Sequence, residues 1–130
     1  MTVAEKGLSV KEKMKLRLCY NAIVDKKGEG VSILDLRGFS SITDFFIICQ
    51  GTSSTQVSAI SDNIEKVLRD SGMKHYNVEG KESAEWILLD CDDVIVHVFQ
   101  DATRKFYALE DLWIDARKFE DRDIESWEVN

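Results

Sequence analysis

Apolar positions along this chain switch repeatedly between a helical and a strand rhythm. Over residues 8–27, Val10, Met14, Leu18, Cys19, Ala22 and Ile23 recur every three to four positions with lysines between them, which predicts an amphipathic helix. The run Lys26-Lys27-Gly28-Glu29-Gly30 ends it. Residues 31–36 (VSILDL) and 45–49 (FFIIC) then read as strands around a turn at 37–41. The second of these is apolar on both faces, as a central strand covered from two sides would be. A second helix is marked by Val57, Ile60, Ile64, Val67 and Leu68, with Ser53 and Gln56 at capping-box spacing and Gly72 at a left-handed C-terminal position. Three more strands are predicted over 73–78, 85–90 and 94–99, and a last helix opens near Asp101 and runs past Trp113.

The order α-β-β-α-β-β-β-α predicts a single α/β (α+β mixed) domain over residues 1–116, a five-stranded mixed sheet with flanking helices. Residues 117–130 are acidic and weakly patterned, and are expected to form a flexible tail.

One hairpin concentrates the information. With Cys91-Asp92 as a two-residue turn, Asp90 faces Asp93, Leu89 faces Val94 and Ile87 faces Val96, giving one aliphatic side. The other side pairs Trp86 with His97 and Leu88 with Ile95, with the aspartates at the tip. Such a surface has the composition of a protein-binding patch, an aromatic anchor rimmed by charge. The competing reading is a face covered by a helix, with the Trp86 N–H bonded to a neighbour.

Composition narrows the partners. Of 130 residues 44% are hydrophobic and 32% charged, which excludes disordered and fibrous classes. The net charge of −7 argues against direct nucleic-acid recognition, which draws on Lys and Arg, and favours a basic protein partner. No apolar run approaches the roughly 20 residues of a spanning helix, and the charged N-terminus lacks the apolar core of a signal peptide, so a cytoplasmic protein without membrane association is expected. Cys19, Cys49 and Cys91 are odd in number and widely spaced, so buried reduced thiols are expected rather than disulfides or a zinc site.

Catalytic signals are weak. Gly51-Thr52-Ser53-Ser54 precedes a helix, where backbone N–H groups can hold phosphate, but it lacks the lysine and glycine spacing of a P-loop. Asp90, Asp92 and Asp93 superficially suggest a metal-binding carboxylate pair, yet acids also cluster in turns. His75 and His97 have no nucleophile at a telling spacing. No cofactor, metal or catalytic residue is expected.

The blocks 35–48 (DLRGFSSITDFFII), Gly51-Thr52-Ser53, Val78-Glu79-Gly80, residues 85–90 (EWILLD), 93–99 (DVIVHVF) and 106–113 (FYALEDLW) together resemble the ribosomal silencing factor family, also called Iojap. The resemblance spans roughly residues 8–116 in the family's order. It implies a nucleotidyltransferase-like fold without a working active site. It also implies binding to the large ribosomal subunit through ribosomal protein fourteen, which blocks small-subunit joining and represses translation when nutrients are scarce. Carried onto this chain, the partner-facing residues are Trp86, Leu88, Asp90, Asp93 and His97, with Tyr107 and Trp113 from the last helix. Family members often carry glycine where this chain has Asp92, a departure at the hairpin tip. Two rivals stand beside this reading: a metal-dependent nucleotidyltransferase using Asp90 and Asp92 with Gly51 to Ser53, and a homodimeric adaptor joined through the Trp86 side.

Overall fold

The computed structural model describes residues 7–73 and 76–128; His75 and the middle of the strand predicted over 73–78 lie outside the described residues. Helix α1 (Val10–Asp25) starts at a reciprocal capping box between Ser9 and Glu12. Strands β1 (Glu29–Asp35) and β2 (Phe45–Gly51) follow, then helix α2 (Ser54–Asp70), strands β3 (Asn77–Glu79), β4 (Trp86–Asp90) and β5 (Val94–Gln100), and helix α3 (Asp101–Tyr107). A short 3-10 helix (Leu109–Trp113), strand β6 (Arg117–Glu120) and helix α4 (Asp121–Glu125) are the last elements among the described residues. No helix among the described residues is long and apolar enough to cross a membrane.

The strands form one mixed sheet in the order β3-β4-β5-β2-β1-β6. The central pair β2 and β5 is parallel and the other pairings are antiparallel. The crossover between the parallel strands runs through α2, and β2 is buried on both sides as its apolar run predicts.

Helices α1 and α2 share one face of the sheet. There Leu16, Cys19 and Ile23 meet Val57, Ile60, Ile64 and Leu68 over Ile33, Ile47, Ile87, Leu89, Val96 and Val98. The α1 stripe differs from the one predicted: Val10 and Met14 are exposed, whereas Leu16 and Tyr20 are buried. The helix carries two apolar rows, and the row facing the sheet is the one that also meets the C-terminal segment. Arg17 donates to the Ile124 carbonyl at 2.8 Å and the Tyr20 hydroxyl to Glu125 at 2.9 Å.

That segment corrects the expectation for 117–130. Residues 117–120 pair with β1 as a sixth strand, Phe119 opposite Ile33, and residues 121–125 turn back as α4 with Ile124 fully buried. One apolar residue on each short element anchors it, too sparse a pattern to carry periodicity. The last helix is also shorter than predicted. Ala108 takes a left-handed conformation (φ 44°), α3 ends there, and Leu109 and Trp113 turn onto the sheet from the 3-10 helix.

Candidate functional site

The second face of the sheet carries a smaller cluster built from Leu34, Leu36, Ile48, Phe99 and Ala116, with Phe46, Trp86, Leu109 and Trp113 packed against it. Its centre is the β4–β5 hairpin. The two-residue turn is Asp92-Asp93 rather than Cys91-Asp92: the Cys91 amide donates to the Val94 carbonyl at 2.8 Å, and Asp92 holds the positive φ (72°) of the tip. Trp86 therefore faces Phe99, Leu88 faces His97 and Asp90 faces Ile95. Moving the turn by one residue shifts each partner by two, so every residue still paired in the ladder keeps its face. Leu88, Trp86 and His97 remain together.

The entry to β4 depends on a glycine. Gly80 has φ 89°, and a Cβ there would lie 2.1 Å from the Trp86 carbonyl oxygen, so the loop after β3 crosses the Trp86 backbone only because that side chain is missing.

The Trp86 indole N–H donates to His97 Nδ1 at 3.1 Å. An acceptor at Nδ1 puts the proton of the neutral imidazole on Nε2, which is buried with no partner among the described residues. Burial pushes the His97 pKa down to about 4, so the ring is neutral at pH 7. Phe46 meets it edge-on at 4.5 Å, and Phe99 stacks at 6.1 Å. Trp86 lies 4.9 Å from both Phe99 and Tyr107, and Phe46 lies 6.1 Å from Trp113. Both readings of this face thus have a counterpart in the geometry. The indole N–H is satisfied internally, while Trp86 and Leu88 stay half-buried and Tyr107 is 52% exposed.

The two aspartates separate. Asp90 lies on the Trp86 face, where its carboxylate accepts from the Asp92 amide at 3.2 Å. Asp93 turns to the helical side of the sheet and forms an ion pair with Lys15 of α1, whose ammonium also donates to the Cys91 carbonyl at 2.9 Å. Of the residues expected to face a partner, Trp86, Leu88, Asp90, His97, Tyr107 and Trp113 share one side, with His97 buried inside it and Trp113 half-buried like Trp86; the Asp93 side chain does not join them.

The parts of the rival enzymatic site lie apart. Gly51 pairs with Gln100 at the end of β5, whereas Asp90 pairs with Ile95 near its start, about 16 Å away along the strand. The start of α2 is also engaged by its own residues. Ser53 Oγ accepts from the Gln56 amide at 3.1 Å, and Gln56 Oε1 accepts from the Thr52 amide at 2.8 Å, so the glutamine closes the cap one residue earlier than a capping box would. Cys19, Cys49 and Cys91 are free and buried, and burial pushes the Cys19 and Cys49 thiols up to about 12, leaving them protonated.

Two pairs of contributing residues escaped the sequence reading. Phe46 and Phe99 complete the aromatic cluster, and the signal for them was the period of two: both share a face with His97. Arg104 and Glu110 pin the segment that carries Tyr107, and only tertiary structure reveals that pairing.

A family model described as "Ribosomal silencing factor during starvation" matches residues 9–129. The ribosomal silencing factor RsfS of Halalkalibacterium halodurans is 48% identical over 101 residues, which cover 78% of this chain and 86% of that protein. A crystal structure from Bacillus halodurans superposes with a TM-score of 0.71 at 44% identity, over 78% of this chain and 94% of the other. A mouse protein named "Mitochondrial assembly of ribosomal large subunit protein 1" is 31% identical over 83 residues, 62% of this chain and 36% of that protein. With the mixed sheet, the aromatic second face and the family blocks all in place, the chain belongs to the ribosomal silencing factor family.

Proposed function

We propose that this protein docks on the large ribosomal subunit through ribosomal protein fourteen and sterically blocks small-subunit joining, repressing translation under nutrient limitation. The observation that carries the reading is the half-exposed aromatic strip formed by Trp86 and Tyr107, rings 4.9 Å apart, beside Leu88 and the acidic hairpin tip. Aromatic anchors with a charged rim are the anatomy of a protein interface. Family membership supports the ribosome as the partner, and the mouse relative's name speaks of the large subunit. The chain's net charge of −7 suits a basic ribosomal protein better than bare RNA. Steric exclusion needs no catalytic group, so the protein acts as a binder in the cytoplasm rather than as an enzyme.

Sedimentation of purified subunits at joining magnesium tests this directly. The protein is expected to comigrate with large subunits and deplete joined ribosomes. Trp86→Ala is expected to cost about 2 kcal/mol of binding, roughly thirtyfold in affinity. Undisturbed joining, with the protein left at the top of the gradient, sinks the proposal.

A further inference from the structure

Tyr107 sits on a segment that the apolar core holds only through the partly buried Leu109 and Trp113. Neither α3 nor the 3-10 helix contributes a buried residue, and Phe106, Leu112 and Ile114 are at least 72% exposed. A polar clamp fastens it as well. Arg104 Nη1 donates to the Gly30 carbonyl at 2.7 Å and to Gln50 Oε1 at 3.1 Å. Its Nη2 and Nε donate to Glu110 Oε1 at 3.1 and 3.2 Å, and Nη2 also lies 3.4 Å from Ser32 Oγ. Glu110 Oε2 accepts from the Ser32 hydroxyl at 2.8 Å and stands 3.5 Å from the Lys118 ammonium.

Each part of this arrangement has a local cause. The left-handed Ala108 folds the chain back so that Glu110 returns to Arg104. Gly30, at φ 59° in the irregular stretch of β1, leaves room for the guanidinium, since a Cβ there would lie 2.9 Å from Nη1. Arg104 is the suited residue, because five donors in a rigid fork can join β1, β2 and the 3-10 helix at once. The Arg104 and Glu110 side chains are only 14% and 24% exposed, so the pair is less screened than a surface ion pair.

Resting on the docking reading above, we infer that Arg104 and Glu110 are positioning residues for a basic protein partner: they close residues 104–110 into a rigid loop on β1 and β2 and so hold the Tyr107 ring against Trp86. The interface anchor is then preorganised before the partner arrives, and the ordering cost of a mobile aromatic segment is removed from binding. Loss of the clamp is expected to weaken affinity while leaving the α1–α2 core, on the other side of the sheet, intact.

Arg104→Met removes the forked donors while keeping the stem, and Glu110→Gln removes the charge at constant size. Three readouts are combined: the NMR cross-peaks between the Tyr107 and Trp86 rings, the urea midpoint, and affinity for purified large subunits. Trp86→Ala runs in parallel. The expected result for both clamp variants is lost ring cross-peaks, a still cooperative unfolding transition and roughly tenfold weaker binding, with Arg104→Lys recovering part of it. If the cross-peaks vanish while affinity stays at the wild-type value, the inference is wrong. If affinity falls with the cross-peaks intact, Arg104 touches the partner itself and the positioning role is overturned. Should Arg104→Met not fold, Glu110→Gln alone decides between these outcomes. Failure of the wild-type protein to bind large subunits sinks the docking reading, whereas wild-type binding weakened by Trp86→Ala but unaffected by the clamp variants sinks this inference alone.

Discussion

His97 ties the stability of the second face to pH. Its Nδ1 accepts the Trp86 N–H, which only the neutral ring can do, and burial lowers its pKa from 6.5 to about 4. Between those values the unfolded chain takes up a proton that the folded one refuses, so stability falls as pH drops through this window and is fully present above it. The shift corresponds to about 3 kcal/mol. His97→Asn keeps an acceptor near Nδ1 without the titration. Urea midpoints of the two proteins are expected to diverge less below pH 5 than at pH 7.5, the wild type showing the steeper slope; parallel slopes would mean that His97 does not titrate in this range. The residue scale also explains the departure at the hairpin tip. Asp92 adopts the positive φ that glycine takes without strain, and the Asp90 carboxylate steadies it through the Asp92 amide.

At the scale of elements, legibility followed pattern length. Helix α2 and strands β2, β4 and β5 each repeat their signal several times, and all stand where their periodicity placed them. The grouping of Trp86, Leu88 and His97 survived a misplaced turn because strand faces alternate with a period of two. Strand β6 escaped notice because four residues with a single buried side chain, Phe119, carry no rhythm. The end of α3 was illegible for a different reason. Alanine is the strongest helix former, so residue type at 108 gives no sign of the left-handed turn that brings Glu110 back to Arg104 and Trp113 to Phe46. Asp93 was assigned to the wrong side because its partner, Lys15, is 78 residues away in sequence.

Phe119 gives the C-terminal segment its measurable consequence. It packs opposite Ile33, beneath the Arg117 guanidinium and 5.4 Å from Trp127. Phe119→Ala is expected to cost about 3 kcal/mol, at the low end for a buried phenylalanine because it lies on an outer strand. A urea titration checks this through the midpoint, and an unchanged midpoint would mean that residues 117–127 contribute nothing to the folded state.

For the molecule as a whole, charge sets the approach to a partner. A chain of net charge −7 meeting a basic protein is accelerated at low salt, and the effect is screened beyond about 8 Å at 0.15 M ionic strength. Under the docking proposed above, stopped-flow association with isolated ribosomal protein fourteen is expected to slow at least tenfold between 50 and 500 mM salt while dissociation changes little, in keeping with steering by rim charges. Equal sensitivity of both rates would shift the weight to ion pairs within the interface.

The pairing of β6 with β1 has a further consequence during synthesis. Ile33 and Phe119 meet across most of the chain, so β1 keeps an open hydrogen-bonding edge from the moment it forms until residues 117–127 have left the exit tunnel. At about 5–20 residues per second this leaves the edge unpaired for several seconds. The late-made β6 thus covers the edge of a strand made long before it, and loss of residues 117–120 would leave an edge on which neighbouring nascent chains can pair.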